Sequence, residues 1–186
     1  MRRMLRGYRG RMITRTRPVV ALALSLVALG VLSGCAPQAE PEPTPTALFA
    51  SEEEAFKAAE ETYRAYTDAL NSQRRGESGH NPLDFLTGSA LEDEITGQQE
   101  IVEQGLKLKG DVAVVRFERG SINQDRSPIE IAGTVCLDTS QVRVTSADGE
   151  DLSPPDRESV AMKISFIATD ERKVLISESL GGQGAC

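Results

Sequence analysis

The chain has 186 residues, of which 39% are hydrophobic and 4% aromatic, and its formal net charge is −7. All seven arginines that precede Cys35 fall in the first eighteen residues, so the remainder carries 14 basic and 28 acidic residues, a net charge of −14. Because binding to phosphates needs a basic face, this excess of acid argues against a nucleic-acid partner.

The arginine-rich start is followed by an uncharged run of fourteen residues, VVALALSLVALGVL (19–32). A basic head before a short apolar run is typical of a secretory signal. The run is shorter than the roughly 20 apolar residues that a membrane-spanning helix needs. A soluble secretory signal and an uncleaved helical anchor are the alternatives at this point.

The apolar run ends in LSGC (32–35), which resembles the lipobox of bacterial lipoproteins, with a leucine three residues before the cysteine and small residues between. The resemblance implies cleavage between Gly34 and Cys35 and a diacylglyceryl thioether on Cys35, with palmitate-type acyl chains. Two acyl chains hold a protein durably to a bilayer. We therefore expect residues 1–34 to be a lipoprotein signal peptide and the protein to be lipid-anchored at the outer face of the cell membrane.

A tether is predicted for residues 35–47, because APQAEPEPTPTA (36–47) contains four of the nine prolines. Such a segment favours the extended polyproline II conformation over a helix or a packed strand. The residues from 48 to 186 then form a single domain, a length sufficient for a hydrophobic core.

The clearest predicted helix is SEEEAFKAAEETYRAYTDALN (51–71). Ser51 followed by Glu54 is a capping-box pattern. A helical stripe of apolar residues predicts the buried face, made of Phe56, Ala59, Tyr63, Tyr66 and Leu70.

A second helix is predicted over residues 89–105, with Gly105 at its end and a short turn over 81–86 that begins at Pro82. Its buried face is predicted to comprise Leu91, Ile95, Gln98 and Val102, with Ile101 next to it.

Beyond Gly105 the hydrophobic period becomes two, which predicts strands over 111–122, 128–139, 141–147, 158–170 and 173–180. In the fourth strand, apolar Ile164 and Phe166 alternate with Lys163 and Ser165, as expected when one face of an antiparallel sheet is buried. Helices followed by an antiparallel meander predict an α+β domain.

This order of elements resembles the nuclear transport factor 2-like (SnoaL-like) cone, in which N-terminal helices pack on a curved antiparallel sheet. The whole chain is similar to cell-envelope lipoproteins of actinobacteria that carry such a domain. The features in common are the lipobox, the Pro/Thr/Glu stalk, the Y..Y..ALN pattern of the first helix, the late CLD strand and the terminal cysteine.

With Cys35 assigned to lipid, the other two cysteines are Cys136, in the middle of a predicted strand, and Cys186, the last residue. The exported compartment permits disulfides, so we predict a Cys136–Cys186 bridge that holds the glycine-rich tail. We predict no metal and no cofactor, since two thiols without neighbouring histidines do not complete a zinc site.

Little in the sequence indicates catalysis. His80 is the single histidine, and the surrounding GESGHNP does not match a G-x-S-x-G motif. The acidic turn DGEDLSPPDRE (148–158) lacks the EF-hand spacing for calcium.

The cone fold also resembles ketosteroid isomerase and limonene epoxide hydrolase, whose sites need a carboxylate and a hydrogen-bonding partner in an apolar pocket. Tyr63 and Tyr66 are candidate hydroxyls, and Glu130 or Asp138 a candidate carboxylate if its strand face points inward. The favoured interpretation places the tyrosines in the core and both carboxylates on the solvated face.

We therefore expect a non-catalytic module that binds another envelope protein or a small apolar ligand. A small isomerase-like or hydrolase-like enzyme is the main alternative, and a homodimer formed through the open sheet face is a third possibility.

Overall fold

The computed structural model describes residues 48–155, 159–169, 171–181 and 186. Contacts divide the chain into two units, Met1–Thr44 and Pro45–Cys186, and all described residues belong to the second. The predicted signal peptide, Cys35 and the tether lie outside the described residues. Within the described part, neither helix has the length and apolarity needed to cross a bilayer.

Helix α1 spans Glu52–Arg74. As the capping-box pattern predicts, the Ser51 side chain accepts a hydrogen bond from the backbone N–H of Glu54 at 3.1 Å. The Glu54 carboxylate in turn accepts a hydrogen bond, at 2.6 Å, from the N–H of Ala50, the residue before the cap. The helix continues three residues past the predicted end, to Arg74.

A 3-10 turn at Pro82–Phe85 leads into helix α2, Gly88–Glu103. Pro82 begins the turn as predicted. Gly105 follows α2 with a φ of 64°, a left-handed conformation that glycine adopts readily, and its N–H bonds to the carbonyl of Val102.

The strands are β1 (Lys107–Lys109), β2 (Ala113–Asn123), β3 (Ile129–Asp138), β4 (Arg143–Thr145), β5 (Ser159–Ala168) and β6 (Val174–Gly181). Four of them form an antiparallel sheet in the order β2-β3-β5-β6, and β1 pairs with β4 in a separate two-stranded sheet. The expectation of one five-stranded meander is therefore wrong at the 141–147 segment. Its partner β1 was missed because its alternating segment, LKLK (106–109), is too short to stand out.

The two helices pack on one face of the four-stranded sheet. The largest fully buried side chains come from three of its four strands, β3, β5 and β6: Ile131, Val135, Ile164, Phe166 and Ile176. Register shifts in β2, and in β6 opposite Ser165 and Phe166, add bend and twist to the sheet. The predicted α+β fold, with helices on a cone-like antiparallel sheet, is confirmed.

The C-terminal end of α1 is joined to the chain that enters β2. The buried Asn71 side chain donates to the carbonyl of Val112 at 2.8 Å and accepts from the N–H of the same residue at 2.9 Å. This two-point bond satisfies backbone groups that no strand pairs, and it places the last turn of α1 beside the sheet.

Candidate functional site

A cavity of about 360 Å³ lies between α1, α2 and the inner face of the sheet. This volume is within the range of small-molecule sites. Most of the lining is apolar and is contributed by both helices and the sheet, including Leu70, Leu86, Ile101, Leu137, Met162 and Ile176. The interior between the helices and the sheet is therefore a partly open pocket.

A carboxylate and a tyrosine meet at this cavity. The Tyr66 hydroxyl on α1 donates to Glu94 on α2 at 2.8 Å. The side-chain amide of Gln98, one turn further along α2, donates to the other Glu94 oxygen at 2.9 Å. Each carboxylate oxygen therefore already accepts one hydrogen bond, and the two helices are joined by a polar contact across the pocket.

Both tyrosines of α1 line the cavity, with their rings edge to face at a centroid distance of 5.8 Å. Burial, and secondarily the charge of Glu94, raises the pKa of Tyr63 to about 12. Burial also raises the pKa of Tyr66, and the charge and hydrogen bond of Glu94 add to that effect. Both hydroxyls therefore remain protonated donors at neutral pH.

Arg74, in the last turn of α1, is the cation that lines the cavity. Its Nη1 atom is buried without a hydrogen-bond partner. By contrast, Arg64 pairs with Glu60 at 2.8 Å, and Arg75 pairs with Asp111 at 2.7 Å. Arg74 therefore lines the pocket with one guanidinium nitrogen that has no hydrogen-bond partner.

The two carboxylates considered from the sequence are not in the cavity. Glu130 is exposed and pairs with Arg126 at 3.0 Å. Asp138 accepts the backbone N–H of Ser140 at 2.8 Å, and hydrogen bonds from Ser140 lower its pKa. Both alternate with buried Ile131 and Val135 along β3 and so lie on the opposite sheet face, as the favoured interpretation expected.

The face predicted for α2 is wrong in part: Leu91 packs against the core and Gln98 lines the cavity, as predicted, but Ile95 and Val102 do not face inward. Ile95 is 38% exposed and Val102 78% exposed. The positions that line the cavity are instead Ala90, Glu94, Gly97, Gln98 and Ile101.

This alternative face was present in the sequence, because 90, 94, 97, 98 and 101 follow helical spacing. Three of its positions were overlooked, because Glu94 is charged and Ala90 and Gly97 are too small to give a hydrophobic signal. Arg74 was missed similarly, since it continues the α1 stripe one turn beyond Leu70, past the predicted helix end.

Cys136 and Cys186 form the predicted disulfide, with their Cα atoms 5.7 Å apart. Cys136 lies on β3 and is buried, on the sheet face that points away from the helices. The bridge therefore attaches the last residue of the chain to the outer face of the sheet, remote from the cavity.

The remaining sequence candidates do not join the pocket. His80 is exposed and its ring meets the edge of Phe85 at a centroid distance of 6.3 Å. Among the residues that the structure describes, no three His, Cys, Asp or Glu side chains are grouped as a metal site would require. Asp156 and Glu158 of the acidic turn lie outside the described residues.

No protein-family model matches the sequence. No curated protein matches it either. Among solved structures, the chain is similar to the crystal structure of the intermembrane space region of the chloroplast protein ARC6, at 13% identity and a TM-score of 0.45. That match covers 67% of this chain and 94% of the other. A match at this level supports neither a family assignment nor a function.

Proposed function

We propose that this protein is a cell-envelope lipoprotein whose single domain binds a small apolar ligand without transforming it. In this proposal Cys35 carries the diacylglyceryl anchor at the outer face of the membrane, and the domain is a nuclear transport factor 2-like cone of the actinobacterial type. The observation that carries the binding function is the cavity between α1, α2 and the sheet, with its largely apolar lining.

The anchor part of the proposal depends on Cys35 alone. We expect Cys35→Ala to lose metabolically incorporated palmitate and to move from the membrane pellet to the soluble extracytoplasmic fraction, because no other acyl attachment site is proposed. Cys186→Ala is the matched control, since it removes a different cysteine and should leave both label and location unchanged. A Cys35→Ala protein that still carries palmitate would contradict the assignment.

The binding part can be tested at Gly97, which lines the cavity and has nothing within 4 Å of the position where a Cβ would be. We expect Gly97→Leu to weaken binding of the neutral dye N-phenyl-1-naphthylamine at least tenfold, because the new side chain occupies the pocket. The measurement is the increase in dye fluorescence on titration with the purified protein.

Two variants control for effects on the helix. Gly97→Ala adds a single methyl group and should stabilise α2 by about 0.5–1 kcal/mol while retaining dye binding. Thr96→Leu places the same leucine side chain at the neighbouring exposed position, outside the cavity, and should also bind. If Gly97→Leu and the wild-type protein bind the dye equally, the cavity is not the binding site.

A second candidate is a small cone-fold enzyme, favoured by the hydrogen bond between Tyr66 and Glu94 at the cavity. A general acid or base must be within hydrogen-bonding reach of substrate. Here the Tyr66 proton is donated to Glu94, and both Glu94 oxygens accept bonds from the protein, which favours a structural role for the pair. A ligand purified with the protein and converted on incubation would support the enzyme instead.

A further inference from the structure

We propose that the ligand of this cavity is an amphiphilic carboxylic acid, whose carboxylate is held by Arg74 and whose apolar chain lies along the sheet-facing wall. This inference rests on the proposed binding function and specifies the chemical class of its ligand. It is carried by the coincidence, in one pocket, of an unpaired guanidinium with a largely apolar lining.

The Nη1 atom of Arg74 is buried and has no hydrogen-bond partner among the residues that the structure describes. A buried donor left without an acceptor is unfavourable, so pairing of the Arg74 side chain with an anionic ligand would satisfy a donor that the protein leaves unpaired. Guanidinium groups match carboxylates in shape and charge, and such bonds are roughly twice as strong as neutral ones.

Tyr63 supplies a second donor. Its side chain is buried and lines the same cavity, and its hydroxyl donates to none of the described residues. Because the Tyr63 hydroxyl stays protonated and neutral at neutral pH, it can donate a hydrogen bond to a ligand oxygen. Tyr63 lies eleven residues before Arg74 on α1, about 16 Å along the helix axis, so it is a separate donor and the ligand carboxylate is assigned to Arg74 alone.

Two acids line the cavity, Asp93 and Glu94, and neither is within ion-pair distance of Arg74. Glu94 accepts from Tyr66 and Gln98 and forms no ion pair with Arg74. The Glu94 charge is therefore stabilised by one donor from each helix, and the Arg74 charge is left to an incoming anion.

The volume limits the ligand's size. A cavity of about 360 Å³ equals about twelve water molecules by their share of liquid volume, which corresponds to a ligand of roughly a dozen non-hydrogen atoms. Decanoate has this size, and decan-1-ol is a neutral molecule of nearly the same length. The pair differs chiefly in the head group that Arg74 is proposed to hold.

The test is equilibrium dialysis of the purified protein against decanoate and, separately, decan-1-ol. We expect the wild-type protein to bind decanoate at least tenfold more tightly than the alcohol, and Arg74→Met to abolish that preference while retaining the affinity for decan-1-ol. Arg74→Lys keeps a cation at the end of α1 and should keep part of the preference.

The outcomes separate the two proposals. Equal binding of acid and alcohol by the wild-type protein, or a preference for the acid that survives Arg74→Met, overturns the carboxylate inference and leaves the apolar-ligand function standing. Failure of the wild-type protein to bind either molecule overturns both. Unchanged thermal unfolding of Arg74→Lys and Arg74→Met shows that any loss is specific to the pocket.

Discussion

Replacing Phe166 by alanine is expected to lower the free energy of unfolding by about 4 kcal/mol, the largest effect of any single side chain considered. Phe166 is 0% exposed on β5, and its ring packs against Phe117 at a centroid distance of 6.2 Å. The substitution removes buried apolar surface and leaves a cavity that central strands cannot readily close. Urea unfolding followed by circular dichroism measures the change.

Two controls make this prediction specific to the buried face. Phe166→Leu retains most of the volume and should cost about 1.5 kcal/mol or less. Leu180→Ala on β6, where the side chain is 51% exposed, should change stability by only about 0.5 kcal/mol. A Phe166→Ala protein as stable as Leu180→Ala would mean that this sheet face is not the core.

Removing the disulfide is the second large change. Cys136 and Cys186 are 50 residues apart, and the chain-entropy model assigns about 4 kcal/mol of stabilisation to a loop of that length. Disulfides in general contribute somewhat less, about 3 kcal/mol. We expect Cys186→Ser to lose this amount, because the unfolded chain is no longer constrained. The measurement is urea unfolding under non-reducing conditions.

Comparison with Cys136→Ala and with the double variant isolates the bond itself. Each single substitution breaks the same link, so the second substitution should add much less than the first. Reductant should destabilise the wild-type protein and leave Cys186→Ser unaffected. If reductant shifts both unfolding curves equally, the stabilisation does not come from this bridge.

Local signals in the sequence were sufficient where one short segment contains all the relevant chemistry. The cap of α1 needs only Ser51 and its neighbours, and the structure contains the predicted bond to Glu54. The α1 stripe and the alternation of β5 are equally local, since a periodic pattern is set by helix or strand geometry. For this reason the α+β class and the buried faces of α1 and β5 were correctly predicted.

The interpretation of α2 failed for an identifiable reason. Its apolar residues suggested a face through Ile95 and Val102, yet both are exposed. The helix instead turns Glu94 toward α1, where Tyr66 provides a hydrogen-bond partner. A hydrophobic pattern cannot anticipate that a polar side chain will be satisfied by a residue 28 positions away.

By itself, then, the sequence determined the secondary structure of the longer elements, the fold class and the pairing of Cys136 with Cys186, because each follows from local periodicity or from a choice among few partners. The membrane location implied by lipidation of Cys35 remains a prediction from the sequence. Only the tertiary structure decided that β4 pairs with β1 and that Arg74, Glu94 and Tyr66 share one cavity. Those neighbours are far apart in the chain, and their proximity depends on how helices and sheet pack together.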